Sequence, residues 1–135
     1  MSEAGKLLAN HNFNGMPVID GAGKLVGIIT EYDMISKGLA IHLPTFQTIL
    51  ENIPVFREDR SHFKKEVQEI AALKVKDVMN DDPLTLPEDA TFAEAVKVFS
   101  EHHRVNPIPI INKSRKVIGI ISRFDIFKPL ALLSP

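Results

Sequence analysis

Two pairs of side chains in this sequence have the types and the spacing needed to bind a sugar or a phosphate. Thr30 stands three residues before Asp33, and Ser122 stands three residues before Asp125. A carboxylate accepts two hydrogen bonds at once, which matches the neighbouring 2′ and 3′ hydroxyls of a ribose. A hydroxyl residue that opens a helix lies beside N–H groups that favour anions. The same spacing is also that of an N-terminal helix cap, so a cap and a ligand site both remain open.

The two pairs close two copies of a longer repeat. Residues 14–33 read NGMPVIDGAGKLVGIITEYD, and residues 106–125, at a constant offset of 92 positions, read NPIPIINKSRKVIGIISRFD. Eight of the 20 aligned positions are identical, and the alignment needs no gap. An internal repeat of this length indicates that both segments adopt one architecture.

Each copy predicts a β-hairpin followed by a short helix. Apolar runs separated by turn residues predict four strands, at residues 16–19, 25–29, 108–111 and 117–121. Because these runs lack a clean alternation, we expect the strands to be buried on both faces. The hydroxyl residue then opens a helix, which should end at Gly38 in the first copy and at Pro129 in the second.

A further helix precedes each hairpin. In the second copy Thr91 and Glu94 form a predicted capping box, and an apolar stripe follows from Phe92, Ala95, Val96 and Phe99. In the first copy we expect EAGKLLANH to share this register, which places Ala4 and Leu7 at the positions of Val96 and Phe99.

The segments around the repeats complete the predicted organisation. Residues 84–86 are expected to be extended, and their counterpart in the first copy would lie before residue 1, so the chain is expected to start partway into a motif. We therefore divide the chain into a first motif that lacks its opening strand (1–38), a connector (39–74) and a second motif (75–135). Periodic apolar residues predict that the connector is helical.

Composition excludes several classes of protein. The 135 residues are 44% hydrophobic and 24% charged, with a net charge of −1 and no cysteine. Disulfides, thiolate metal sites and cysteine nucleophiles are therefore excluded, and nothing draws the whole chain to nucleic acid. No apolar run reaches the roughly 20 residues of a membrane span, and the N-terminus does not have the order of a signal peptide. These features predict a cytoplasmic protein, or a cytoplasmic part of a larger one.

Strand, helix, hairpin and helix, repeated twice and closed by G-I-I-[TS]-x-x-D, resembles the CBS domain pair, named after cystathionine β-synthase. The resemblance implies an α+β fold in which tandem CBS motifs pack about a pseudo-twofold axis. It also implies two clefts for adenosine-containing effectors such as AMP, ADP, ATP or S-adenosylmethionine, with no obligatory cofactor. The implied role is regulatory rather than catalytic, in a homodimer that acts on an enzyme or a transporter.

The resemblance also implies roles for individual residues. Asp33 and Asp125 match the ribose-binding aspartate of the family, and Thr30 and Ser122 match its hydroxyl residue. Thr85 matches a polar residue of the opening strand. Two further segments match the backbone that lies along the adenine. The first is residues 15–18, with Gly15, Met16 and Pro17 as its candidates, and the second is residues 106–110, with Asn106, Pro107 and Ile108.

The two copies differ where a phosphate would lie. Arg123 follows Ser122 and could meet a phosphate, whereas Glu31 holds that position in the first copy and would repel one. His103 and Arg104 are candidates for the phosphate side of the second cleft, or else form a solvated helix end. The second copy is therefore the better candidate for a phosphorylated ligand.

Two other classes of function are alternatives to a regulatory ligand-binding module. A structural dimerisation module without a nucleotide would use the connector and the apolar tail at residues 129–133 as its interface. A small enzyme would need a base and nucleophile set, which the sequence does not present. His102 and His103 are adjacent, and neighbours on a helix do not face each other, so no metal site is predicted.

Overall fold

The structure is a computed structural model that describes residues 2–38 and 72–132. The first motif contains a helix and a hairpin, and its elements are α1 (Ser2–His11), β1 (Gly15–Ile19), β2 (Leu25–Thr30), α2 (Glu31–Asp33) and a π-helical turn (Met34–Gly38). The later elements are α3 (Val75–Val78), β3 (Leu86–Pro87), α4 (Phe92–Glu101), β4 (Ile108–Ile111), β5 (Val117–Ile121) and α5 (Arg123–Ala131). The predicted order of strand, helix, hairpin and helix is confirmed for the second motif. The predicted connector helices and the end of the apolar tail lie outside the described residues.

The two hairpins have the same strand pairing. β1 and β2 form an antiparallel two-stranded sheet, and β3, β4 and β5 form a three-stranded sheet in that order. β3 runs parallel to β4, and β5 runs antiparallel to it. The register shifts between Val18 and Ile19 in the first hairpin and between Ile110 and Ile111 in the second. These positions differ by 92, so the repeat extends to the irregularities of the strands.

The two hairpin turns are built by the same side-chain contacts. The Oδ1 atom of Asp20 accepts hydrogen bonds of 2.9 Å from the N–H groups of Ala22 and Lys24. Asn112, its counterpart, accepts bonds of 3.0 Å from Ser114 and Lys116. The residue three positions after the acceptor is left-handed in both copies, with φ of 80° at Gly23 and 60° at Arg115. A short polar acceptor therefore sets the turn, and glycine is not required there.

The turns meet about a local twofold axis. The N–H of Leu25 donates to the carbonyl of Arg115 (3.0 Å), and the N–H of Val117 donates to that of Gly23 (3.3 Å). Exchanging the two copies converts one bond into the other, because Leu25 is equivalent to Val117 and Gly23 is equivalent to Arg115 in the repeat. The pseudo-twofold relation that the resemblance implied is confirmed at this contact.

The described residues fall into two compact units. Residues 2–13, 31–38 and 72–79 belong to one, and residues 14–30 and 80–132 to the other. In the second unit the core consists of Leu86, Ala95, Phe99 and Ile108. Both hairpins and α5 belong to this unit, which therefore holds most of the candidate site.

The helix registers differ from the prediction by one residue. The capping box of α4 is confirmed, since Thr91 Oγ1 accepts from the N–H of Glu94 at 3.2 Å. Ala95 and Phe99 are buried there, and Ala4 and Leu8 are buried on α1, whereas Leu7 is 44% exposed. Ala4 and Leu8 are therefore equivalent to Ala95 and Phe99 at an offset of 91 positions, whereas the hairpins are equivalent at an offset of 92. The two offsets differ because the chain between helix and hairpin is one residue longer in the second copy.

Two expectations about the ends of the second motif are wrong. β5 alternates instead of being buried on both faces, with Ile118 and Ile120 exposed. In the first copy Ile28 is buried and exchanges two backbone hydrogen bonds with Asn80, which are not repeated at Ile120 in the described residues. α5 also continues past Pro129 to Ala131. Proline removes one N–H donor but keeps a helical φ, so the helix can pass through it.

None of the described helices has the length and apolar content to cross a membrane.

Candidate functional site

The corner between β5 and α5 is closed by Ser122 and Asp125. The Oδ2 atom of Asp125 accepts hydrogen bonds from the N–H of Ser122 at 2.8 Å and from its hydroxyl at 2.7 Å. The N–H of Asp125 donates back to the Ser122 carbonyl at 3.1 Å. Asp125 thus acts as a capping residue in this structure. Both bonds use Oδ2, and no residue of the described ranges donates to Oδ1.

The carboxyl group of Asp125 is exposed and negatively charged at neutral pH. The hydroxyl of Ser122 and then its N–H lower the pKa of Asp125, and the charge of Lys128 acts in the same direction. The group is therefore a strong acceptor that has capacity left on one oxygen. A cap and a hydrogen bond to a sugar hydroxyl can coexist on this side chain, provided that they use different oxygens.

Arg123 is bound to the C-terminus of α4. Its N–H donates to Oδ1 of Asn106 at 2.9 Å. Its guanidinium donates to the carbonyls of His102 at 3.0 Å and His103, and at 3.5 Å to that of Phe99. The guanidinium also lies 5.6 Å from the centre of the Phe99 ring, within the range of a cation–π contact. A phosphate that recruited this guanidinium would compete with these carbonyls.

Gly15 of the first predicted adenine segment lies against Pro107 of the second. A Cβ atom placed on Gly15 would be 2.7 Å from Cδ of Pro107 and 2.9 Å from Cγ2 of Thr30. Pro107 and Ile108 are buried, while Met16 and Pro17 are half-buried. The structure therefore brings Gly15, Thr30 and Pro107 together at the hairpin contact, where a side chain at position 15 has no room.

The hydroxyl–aspartate pair of the first copy has a different exposure. Thr30 ends β2 and is half-buried, whereas Asp33 lies in α2 and is only 8% exposed. Asp33 belongs to the other compact unit of the chain. Asp33 and Asp125 are equivalent in the repeat, but Asp33 is buried whereas Asp125 is exposed and accessible to a ligand.

Thr85 lines a groove apart from the Ser122 corner. This groove has a volume of about 200 Å³ and is lined by Thr85, Pro87, Glu88, Asp89, Ile111, Asn112 and Lys113. His103 and Arg104 are exposed in the loop after α4. The backbone carbonyl of His103 accepts a hydrogen bond from the guanidinium of Arg123. No group of three His, Asp or Glu side chains within residues 2–38 and 72–132 is placed to hold a metal ion.

The partners of Arg123 could not be predicted from the sequence. They are backbone carbonyls of His102 and His103 together with the ring of Phe99, and backbone carbonyls carry no sequence signal. The role of Asn106 had a weak signal, since an asparagine is the first residue of both repeats. The corner therefore consists of Ser122 and Asp125, positioned through Asn106 and Arg123.

These features define a protein with tandem strand–helix–hairpin–helix motifs, each closed by a hydroxyl residue and an aspartate three positions later. The family model of the CBS domain matches residues 1–39 and 75–132. The chain belongs to the CBS domain family, as the resemblance of its repeats implied.

Known proteins similar to this chain include an enzyme and two solved CBS proteins. The chain is 29% identical over 127 residues to inosine-5′-monophosphate dehydrogenase of Korarchaeum cryptofilum, covering 94% of the chain but 20% of that enzyme. The structure of CBSX2 of Arabidopsis thaliana in complex with AMP matches with a TM-score of 0.69 at 22% identity, covering 98% of this chain and 82% of that one. The CBS domain pair of protein MJ0100 in complex with 5′-methylthioadenosine and S-adenosyl-L-methionine matches with a TM-score of 0.66 at 26% identity, covering 96% and 82%.

Proposed function

We propose that this chain is a regulatory module that binds an adenine nucleotide or an adenosyl ligand at the Ser122 corner of its second CBS motif. The observation that carries the proposal is the exposed carboxylate of Asp125, which is charged and has Oδ1 without a donor in the described residues. A ribose offers two neighbouring hydroxyl donors to such a group. Relatives solved with AMP and with S-adenosyl-L-methionine support an adenosine-containing ligand.

The ligand would be oriented by the segments that meet at the corner. Asn106 is joined to the first turn of α5 through the N–H of Arg123, at 2.9 Å. Pro107 and Ile108 follow it and are buried, which holds Asn106 in place at the corner. The N–H groups of Ser122, Arg123 and Asp125 already have acceptors in the protein. The sugar and the base, rather than a phosphate on these amides, would therefore supply most of the recognition.

A thermal-shift series tests the proposal. AMP, ATP, S-adenosylmethionine, 5′-methylthioadenosine and adenosine would each be added at millimolar concentration, with GMP as the control for the base. A ligand at 100 times its Kd stabilises the folded chain by about 2.7 kcal/mol, which raises the Tm of a chain this size by roughly 10 °C. The absence of a shift with every adenine compound would contradict the proposal.

Substitution of the aspartate locates the site. Asp125→Asn keeps the size of the side chain but removes its charge, and we expect it to weaken ligand binding about tenfold to a hundredfold in calorimetric titrations. Asp89→Asn, an exposed aspartate in the separate groove, is the matched control and should bind as the wild type does. Tight AMP binding that survives Asp125→Ala but is lost in Asp33→Ala would place the site in the first copy instead.

A regulatory role follows from how such a ligand would act. Binding that favours one arrangement of the motifs shifts the population of conformations, and an attached or partner protein, such as an enzyme or a transporter, responds to that shift. Under this proposal the chain itself is not catalytic, and it functions as a homodimer in the cytoplasm. A turnover assay and the mass of the particle in solution test these two points.

A structural dimerisation module is the second candidate. It is favoured by exposed apolar side chains on β5, on α5 and directly after α5, namely Ile118, Ile120, Phe124, Phe127 and Leu132. A patch of this kind marks an interaction surface. Light scattering of Phe124→Ser and Phe127→Ser variants tests it: a dimer that dissociates on substitution, in a chain with no nucleotide-dependent shift, would favour this candidate over ligand sensing.

A further inference from the structure

The corner between β5 and α5 uses most of its hydrogen-bond donors internally. The hydroxyl of Ser122 donates its proton to Oδ2 of Asp125 at 2.7 Å, and the N–H of Ser122 donates to the same oxygen at 2.8 Å. The N–H of Arg123 donates to Oδ1 of Asn106, and the N–H of Asp125 donates to the carbonyl of Ser122. Among these first amides of α5, only that of Phe124 has no acceptor in the part of the chain that the structure describes.

The guanidinium of Arg123 has partners of its own at the end of α4. It donates to the carbonyls of His102 at 3.0 Å and of His103, and it lies 5.6 Å from the centre of the Phe99 ring. The carbonyls at a helix C-terminus carry partial negative charge, which favours a cation beside them. A phosphate would have to draw the guanidinium away from these carbonyls, and their loss would offset part of the new interaction.

The corner offers an acceptor where a phosphate would need donors. Oδ1 of Asp125 receives no hydrogen bond from the described residues, and the side chain is exposed. The hydroxyl of Ser122, its N–H and the charge of Lys128 lower the pKa of Asp125, so the carboxyl group is ionised at neutral pH. An ionised carboxylate accepts hydrogen bonds from hydroxyl groups or cations, whereas it repels a second anion.

We propose that the Ser122 corner prefers an adenosyl ligand whose 5′ group is uncharged or cationic, such as a thioether or a sulfonium, over one that carries a 5′-phosphate. This preference rests on the proposed function, because it names the members of that ligand class which the corner accepts. Its direction is opposite to the one that the position of Arg123 in the sequence indicates. The difference arises because the guanidinium is bound to backbone carbonyls and the proton of the Ser122 hydroxyl is bound to Asp125.

Calorimetric titration of the complete chain with matched ligands tests the preference. AMP, 5′-methylthioadenosine and 5′-amino-5′-deoxyadenosine share the adenine and the ribose, and they carry an anionic, a neutral and a cationic 5′ group. We expect the thioether and the amine each to bind at least about tenfold more tightly than AMP, because like charges at a binding site oppose association. AMP should bind no more weakly at about 0.5 M salt than at about 0.05 M, because salt screens this repulsion.

Two variants assign the preference to the corner. Asp125→Asn removes the charge that repels a phosphate, so the Kd of AMP divided by that of 5′-methylthioadenosine should fall severalfold, even though both ligands bind more weakly. Ser122→Ala removes a hydroxyl whose proton is not available to a phosphate, so this ratio should stay as in the wild type.

The outcomes separate this preference from the proposed function. AMP that binds the wild type as tightly as 5′-methylthioadenosine, or that loses affinity as salt is added, would overturn the preference and leave the proposed function in place. A ratio that Asp125→Asn does not change, or a loss of affinity in Ser122→Ala for AMP alone, would also overturn it. If none of the three compounds binds, the proposed function fails and the preference fails with it.

Discussion

Lys24 and Lys116 pair in an isolated antiparallel bridge, although 92 positions separate them in the sequence. They are equivalent residues of the two repeats, so this bridge lies on the local twofold axis that relates the hairpin turns. Directly opposed residues of an antiparallel pair have their Cβ atoms about 4.5–5.5 Å apart. The axis therefore places two positive charges side by side on the surface, since symmetry pairs each residue with its own copy.

This relationship predicts that one charge reversal stabilises the fold. Lys116→Glu converts an opposed like pair into an opposite pair, and we expect the free energy of unfolding to rise by about 0.2–1 kcal/mol in urea titrations at low salt. The gain should shrink at 0.5 M salt, because exposed charges are screened. Lys113→Glu in the same turn is the control and should change stability less. A destabilised Lys116→Glu variant, or a gain that does not depend on salt, would contradict the prediction.

Gly15 predicts the cost of filling the hairpin contact. A methyl group there would lie 2.7 Å from Cδ of Pro107 and 2.9 Å from Cγ2 of Thr30, so one of them must move. We expect Gly15→Ala to lower the free energy of unfolding by about 1–3 kcal/mol, as for other overpacked positions. Gly21→Ala is the matched control, because nothing lies within 4 Å of its added methyl. Equal stability of the two variants by urea denaturation would show that the contact is not tight.

The repeat made the hairpins predictable from the sequence. The apolar runs and the turn acceptors Asp20 and Asn112 specify local structure, and both hairpins formed at the expected positions. The capping box of Thr91 and Glu94 was predictable for the same reason, since its partners are three residues apart. Features that depend on contacts within one turn are encoded locally.

Features that depend on distant contacts were not predictable. The register of α1 shifted by one residue because loop length, rather than helix pattern, decides which side chain faces the core. Burial of Ile28 but not Ile120 follows from the pairing of Ile28 with Asn80, far along the chain. The guanidinium of Arg123 donates to carbonyls 20 and 21 residues earlier, and no side-chain pattern reveals them.

Substitution of Arg123 separates two possible roles of this side chain, positioning of the Ser122 corner and binding of a phosphate. Its removal takes away hydrogen bonds to His102 and His103 at the end of α4, so we expect Arg123→Gln to lower the free energy of unfolding by about 1.5–3 kcal/mol. If Arg123 positions the corner, binding of adenosine and of AMP should weaken by the same factor. If the guanidinium contacts a phosphate, AMP should lose at least tenfold more than adenosine. Lys113→Gln, an exposed cation, is the control for net charge in these calorimetric titrations.

Asp125 predicts a pH dependence of stability. Hydrogen bonds from Ser122 lower its pKa in the folded chain, whereas an unfolded aspartate has a pKa of about 3.9. A lowered pKa stabilises the folded state above the unfolded pKa, and this contribution is lost as the pH falls through the folded pKa. We therefore expect the wild type to exceed Asp125→Asn by about 0.5–1 kcal/mol at pH 6, as for a lost helix cap, with the difference shrinking below pH 4. Urea titrations of both chains between pH 2.5 and 7 measure it, and a constant difference over that range would show that the carboxylate form of Asp125 does not close the corner.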